Sequence, residues 1–210
     1  MASAPVAKGV VLHQRAYEIE SVIEDEHHFK LTGHLRDVKP SGLWGIPEDT
    51  KPLTIHHMQL DLVVNVDTLI ITSAEAQMHV HPHDECPIIL AAYQQLVGLS
   101  IARGFTHKVR EMFGGPRACT HIGALVNAMA PVAIQSIWGF FQLTDEGGEN
   151  TRAEDPGHFD RNRNTCHVWA DDGPMFEHIA SGRGVDAPLW AVRRLEEYGM
   201  DPVAWRARGN

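Results

Sequence analysis

The hydrophobic period of this chain changes once, near Pro82, and that change restricts the folds open to it. Before Pro82 the pattern has a period of two. Val11, His13, Arg15, Tyr17 and Ile19 share one face of an extended segment, and Phe29, Leu31, Gly33 and Leu35 repeat the alternation. Glu24-Asp25-Glu26 between them predicts a solvated hairpin connection. Residues 40–47, rich in Gly and Pro, predict a loop. Leu60, Leu62 and Val64 then alternate with Gln59, Asp61 and Val63. Asn65-Val66-Asp67 predicts a turn into a strand carrying Ala74, Ala76 and Met78. The expected result is an antiparallel meander.

Beyond Pro82 the period lengthens to about four, as in a helix. Pro87 at a first helical position, with Cys86 as its cap, predicts a helix through Leu90, Tyr93, Leu96 and Val97 that ends at Gly98. A short helix is expected over 106–113, stopped by Gly114-Gly115-Pro116. A long apolar helix follows over 120–141, with a kink at Pro131. Residues 144–164 are polar and Gly-rich and predict a long irregular excursion. After them come Cys166-His167, a turn at 171–174 and a helix over 188–198. Strands first and helices second predict an α+β fold, an antiparallel β-meander followed by a helical layer. The expected division is a core domain at 1–143 and a loop-rich C-terminal extension at 144–210 packing on it.

With 43% hydrophobic and 21% charged residues in 210, the chain has the balance of a folded globular protein. Its net charge of −9, without a Lys/Arg stripe, argues against nucleic acid as a partner. The start, Met1 to Lys8, lacks the basic-then-apolar pattern of a signal peptide. The apolar run 122–141 is interrupted by Asn127, Pro131 and Gln135 and reads as a buried helix, so no membrane is expected. Cys86, Cys119 and Cys166 form an odd set without disulfide spacing, which predicts reduced thiols and a cytoplasmic location.

Fourteen histidines are the compositional oddity, and they favour metal or acid–base chemistry. Three segments concentrate the reactive side chains. They are His56-His57-Met58, the run His79-Val-His81-Pro-His83-Asp-Glu-Cys86, and the loop from Gly114 through Cys119-Thr-His121. Each lies at an expected element boundary, where functional groups are displayed. Cys86 and Cys119 fall near helix N-termini, where unpaired N–H groups favour thiolate. The plainer alternatives are that the cysteines are small buried hydrophobes and that the strand-end histidines are surface residues. No Gly-x-Ser-x-Gly, phosphate loop or dinucleotide fingerprint is present.

His56-x-Met58, Pro82-x-x-x-Cys86, Leu96-Val-Gly98 and Gly114-Gly-x-x-x-Cys-Thr-His121 together resemble a bacterial family, domain of unknown function 2889. The segment Gly33-x-Leu-x-Asp-x-Lys39 and Cys166 with Asp-Gly-Pro174 are similar to it too. The chain departs from that pattern at Ala118, where Gly is usual, and at Ala124, where an acidic residue is usual. The order of elements also resembles iron–sulfur scaffold proteins. That layout implies that His56 or His57, Cys86, Cys119 and His121 converge on one metal site.

These resemblances imply one mononuclear zinc or iron site, with His56, Cys86, Cys119 and His121 as ligands. His57, then His83, is the expected catalytic base. The implied activity is a metal-dependent lyase cleaving a C–C or C–O bond in a small hydrophobic, oxygenated molecule, aromatic or steroid-like. Two other classes stay open: a non-catalytic metal or iron–sulfur carrier, and a cofactor-free acid–base lyase. A homodimer is the default assembly.

Overall fold

Four strands pair antiparallel in chain order: β1 (Gln14–Ile23), β2 (His28–Lys39), β3 (Leu53–Asn65) and β4 (Ile71–Val80). The structure, a computed structural model, describes residues 8–46, 48–102, 104–144, 159 and 162–206. The two tight connections are closed by short polar side chains. Asp25 accepts a bond from the His27 amide at 2.8 Å, and Asn65 Oδ1 accepts from the amides of Asp67 and Thr68 at 3.2 and 3.0 Å. Such side chains imitate a backbone turn, which is why acidic and Asn-rich segments mark these corners.

Alternation decides which face is buried. Phe29, Leu31, Leu35 and Asp37 of β2 and Met58, Leu60, Leu62 and Val64 of β3 are all buried on one side. That side is covered by helix α2 (Thr120–Thr144), whose Ile122, Leu125, Val126, Met129, Ala133, Ile137 and Phe140 recur at helical spacing and are buried. Each of the larger of these side chains, fully buried, is worth about 2 kcal/mol of transfer free energy. Gly33 sets the close approach. A Cβ there would stand 2.7 Å from Met129 Sδ and 3.1 Å from Leu125 Cδ1. Although α2 is long and apolar enough to cross a membrane, its apolar stripe is spent on the sheet. It continues through Pro131, which is exposed.

Along the chain, a 3-10 helix (Cys86–Leu96) and α1 (Phe105–Phe113) come between β4 and α2. The first differs from the α-helix expected there, and Cys86 is its first residue, not its cap; Glu85 occupies the cap position. Gly98 ends the segment with φ of +87°, a left-handed conformation suited to glycine. Its amide then donates to the Ile71 carbonyl at 2.8 Å, which returns the chain to the start of β4. Tyr93 is fully buried and stacks on Phe113 with ring centroids 5.1 Å apart.

By contacts the chain divides into two compact units, Met1–Phe140 and Phe141–Asn210. Most of the segment 144–164 lies outside the described residues. The second unit contains a 3-10 turn (His167–Trp169), α3 (Pro174–Ala180), α4 (Leu189–Glu197) and α5 (Pro202–Arg206). Its aromatic residues Phe159, Trp169 and Phe176 pack on one another, with the Arg163 guanidinium 4.1 Å over the Phe176 ring. Cys166 is exposed.

Candidate functional site

The buried face of β2 is apolar until its end, where Asp37 takes the next alternating position with its side chain only 1% exposed. Burying a carboxylate is costly unless it is paired and hydrogen-bonded. Register supplies the partners, because Arg15 of β1 lies opposite Asp37 on one side and His56 of β3 on the other. Arg15 donates from Nε to Oδ1 at 2.7 Å and from Nη2 to Oδ2 at 2.8 Å. His13, just before β1, places Nε2 at 3.2 Å from Oδ1. On the other oxygen, His56 Nδ1 stands at 3.1 Å and His121 Nε2 at 3.5 Å.

The electrostatics follow from this packing. The Arg15 hydrogen bonds hold the Asp37 carboxyl well below the usual carboxylate range, against the opposing effect of burial, with His13 assisting. Asp37 is therefore an anion at neutral pH. Burial lowers the pKa of His121, and the charge that His56 can carry lowers it further, so its ring stays neutral.

His121 is held in place by the start of α2. Tyr93 Oη accepts a bond from the Cys119 amide and donates to the Cys119 carbonyl, both at 3.0 Å. One hydroxyl thus pins the residue that precedes the helix. The Cys119 Sγ lies 3.6 Å from His121 Nδ1, the ring nitrogen opposite the one that faces Asp37. The His56 and His121 ring centroids are 3.8 Å apart, with the ring planes tilted by 31°.

Asp37, His56 and His121 bring one carboxylate oxygen and two imidazole nitrogens within 4.8 Å of one another, a group that could hold a metal ion. Only one edge of the carboxylate faces these imidazoles. Of the roughly four lone-pair sites on Asp37, Arg15 takes two and His13 a third. The remaining one, on Oδ2, points to the two imidazoles.

Of the residues expected to form a site, His56 and His121 are brought together, and Cys119 reaches His121 through sulfur. Cys86 is half-buried at the start of its 3-10 helix and belongs to neither group of three metal-ligand side chains found among the described residues. His57 was expected at an element boundary, facing the same site as His56. It lies within β3, and consecutive strand residues point to opposite faces. Its ring instead joins His34 and His79, with His34 Nδ1 at 3.2 Å from His57 Nε2. Burial, then the charge of Arg36, lowers the His57 pKa. His83 is exposed in the turn after β4, and its carbonyl lies 2.9 Å from His81 Nδ1. Asp37, Arg15 and His13 were not anticipated as site residues. The available signal was a charged residue at an alternating position on an otherwise apolar strand face.

No curated protein and no solved structure matches the chain. The likeness to iron–sulfur scaffolds therefore rests on element order alone. The family model described as protein of unknown function (DUF2889) matches residues 13–135, a span that runs from His13 through β1 to β4 into α2 and takes in Arg15, Asp37, His56, Cys119 and His121, and the chain belongs to that family.

Proposed function

We propose that this chain is a metal-dependent enzyme of lyase type, with one zinc or iron(II) ion held by Asp37, His56 and His121. The observation that carries the reading is the convergence of these three ligand atoms, from β2, β3 and α2, within 4.8 Å of one another at the edge of a buried carboxylate that Arg15 does not cover. Two imidazoles and one carboxylate are a donor set common to catalytic zinc and non-haem iron sites, and they leave coordination positions open. An ion held there supplies Lewis-acid polarisation of a substrate oxygen. Asp37 contributes a permanent negative charge, Arg15 fixes its plane, and His121 offers a neutral nitrogen. His13, half-exposed beside the same carboxylate, is placed to move the proton that accompanies C–C or C–O cleavage. A small hydrophobic, oxygenated substrate is carried over from the family resemblance.

The two Arg15 bonds favour a second reading, a cofactor-free acid–base lyase. A carboxylate already neutralised by a guanidinium has less attraction for a cation, and His56 and His121 then act as proton carriers alone. Metal analysis of protein purified without an affinity tag separates the two. One equivalent in the wild type that is lost in both His56→Ala and His121→Ala supports the metal enzyme. A wild type whose bound or added zinc or iron(II) is unchanged by both His56→Ala and His121→Ala, or that binds none, overturns it in favour of the second reading.

A further inference from the structure

The opposite face of the same sheet holds a second convergence of imidazoles. His34 of β2, His57 of β3 and His79 of β4 come from three neighbouring strands, and one nitrogen of each lies within 4.8 Å of the others. We propose that these three histidines form a binding site for a zinc-class divalent cation, separate from the Asp37 group on the buried face.

Distance, orientation and charge all support it. His34 Nδ1 and His57 Nε2 are 3.2 Å apart. Zinc–nitrogen bonds of about 2.0–2.1 Å in a tetrahedron place neighbouring ligand nitrogens about 3.3 Å apart, so this pair already spans one edge. His79 needs only a side-chain adjustment to reach the same centre. The tautomer of His79 is set in advance: its Nε2 lies 2.8 Å from Gln59 Oε1, an acceptor, which leaves Nδ1 as the lone pair. Gln59 is oriented in turn by its own bond from Nε2 to Asp61 Oδ2 at 3.1 Å. Support behind a ligand histidine of this kind both orients the ring and raises its affinity for the ion.

The backbone contributes as well. The β3–β4 ladder slips between His57 and Met58, so that His57 pairs with Val80 while Met58 pairs with Met78. His79 is thereby the extra residue of a bulge, and its ring comes to 4.6 Å from that of His57. Glu18 and Glu20 of β1, Asp61 of β3 and Glu75 of β4 share this face with Lys30 and Arg36, and Glu18 lies opposite His34 in register. The acidic excess favours a cation despite Arg36. Three neutral nitrogen ligands without a carboxylate select zinc, nickel or copper(II) over magnesium and calcium. His34 and His57 are half-buried and His79 is exposed, so a fourth position faces solvent.

The test uses untagged full-length protein, stripped with a chelator and titrated with zinc against a chromogenic competitor. Wild type is expected to bind an equivalent that Asp37→Asn retains. His57→Ala and His79→Ala are each expected to weaken that equivalent at least about tenfold, the lower end of what even supporting residues contribute. Magnesium at millimolar concentration is expected not to displace it. As a check that needs no variant, zinc should protect His34, His57 and His79 of the wild type from imidazole acylation, read by peptide mass spectrometry. Wild-type zinc affinity and stoichiometry in both His57→Ala and His79→Ala overturn the proposal, and so does equal acylation of the three histidines with and without zinc. Loss of zinc in Asp37→Asn alone would bear on the other face of the sheet and identify the Asp37 group as the sole site, which also overturns it.

Discussion

Arg15 donates to both oxygens of Asp37, at 2.7 and 2.8 Å, and so fixes the plane of a carboxylate that the sheet and helix otherwise shut away from water. The two residues are unequal partners. The Arg15 side chain is 35% exposed, whereas that of Asp37 is 1% exposed. Losing one partner leaves the other in a very different medium.

That inequality predicts an asymmetric response to substitution. Arg15→Met strands a buried anion and should cost about 3 kcal/mol. Asp37→Asn frees a guanidinium that can turn toward water, and should cost nearer about 2 kcal/mol. Urea denaturation of the metal-free proteins measures both. A larger loss for Asp37→Asn than for Arg15→Met would contradict this account of the pair.

The same pair sets a pH dependence. Asp37 has a folded pKa below its ordinary value, so its contribution is present above the unfolded pKa, about 3.9. It is lost as the pH falls from there toward the lower folded value. The stability gap between wild type and Asp37→Asn should persist down to about pH 5 and narrow below about pH 4. Denaturation midpoints between pH 2 and 7 test this, and a gap that widens in acid would refute it.

The faces that these residues share were legible in the sequence, but the pairing itself was not, and the reasons lie in particular residues. The period of two put His13 and Arg15 on one face, and Asp37 continues the series Phe29, Leu31, Gly33, Leu35. Their meeting depends on strand register, which a single sequence does not state. The opposite error befell His57. Its neighbour His56 made one shared site attractive, but both lie within β3, and alternation sends them to different faces. The His34–His57–His79 group was illegible for a further reason, because it requires a bulge at the end of β4 that no residue type announces. The switch from strands to helices near Pro82 was legible because it needs only local periodicity.

Gly33 offers a test of how α2 is seated. A methyl group at this position meets Met129 Sδ at 2.7 Å and Leu125 Cδ1 at 3.1 Å. Gly33→Ala should therefore destabilise by about 1–3 kcal/mol through overpacking. Met129→Ala alone should cost about 2–5 kcal/mol by opening a cavity. In the double variant the new methyl partly fills that cavity, so the two losses should sum to more than the combined loss. Strict additivity in a double-mutant cycle would mean that β2 and α2 are not in contact at this point.

The last prediction separates cysteine ligation from histidine ligation in the proposed metal site. Cys119 Sγ approaches His121 at Nδ1, while Nε2 of the same ring faces Asp37, so the sulfur and the ion would occupy opposite edges of one imidazole. Sulfur in that place is a neighbour that orients the ring and not a fourth ligand. Cys86 stands outside the group as well. Cys119→Ser and Cys86→Ser should therefore keep the ion held by Asp37, His56 and His121. Cys119→Ser should weaken its binding by about tenfold at most, within the range of supporting residues. His121→Ala should lose the ion, because only two ligands then remain. The measurement is the metal content per chain relative to the wild type after dialysis against a weak chelator, with the loss of one equivalent as the signal. A cobalt-substituted sample adds a direct check, since cobalt bonded to thiolate shows an intense near-ultraviolet charge-transfer band that a histidine–carboxylate site lacks. That band in the wild type, with its loss in Cys119→Ser, would restore sulfur to the ligand set and displace Asp37 from it.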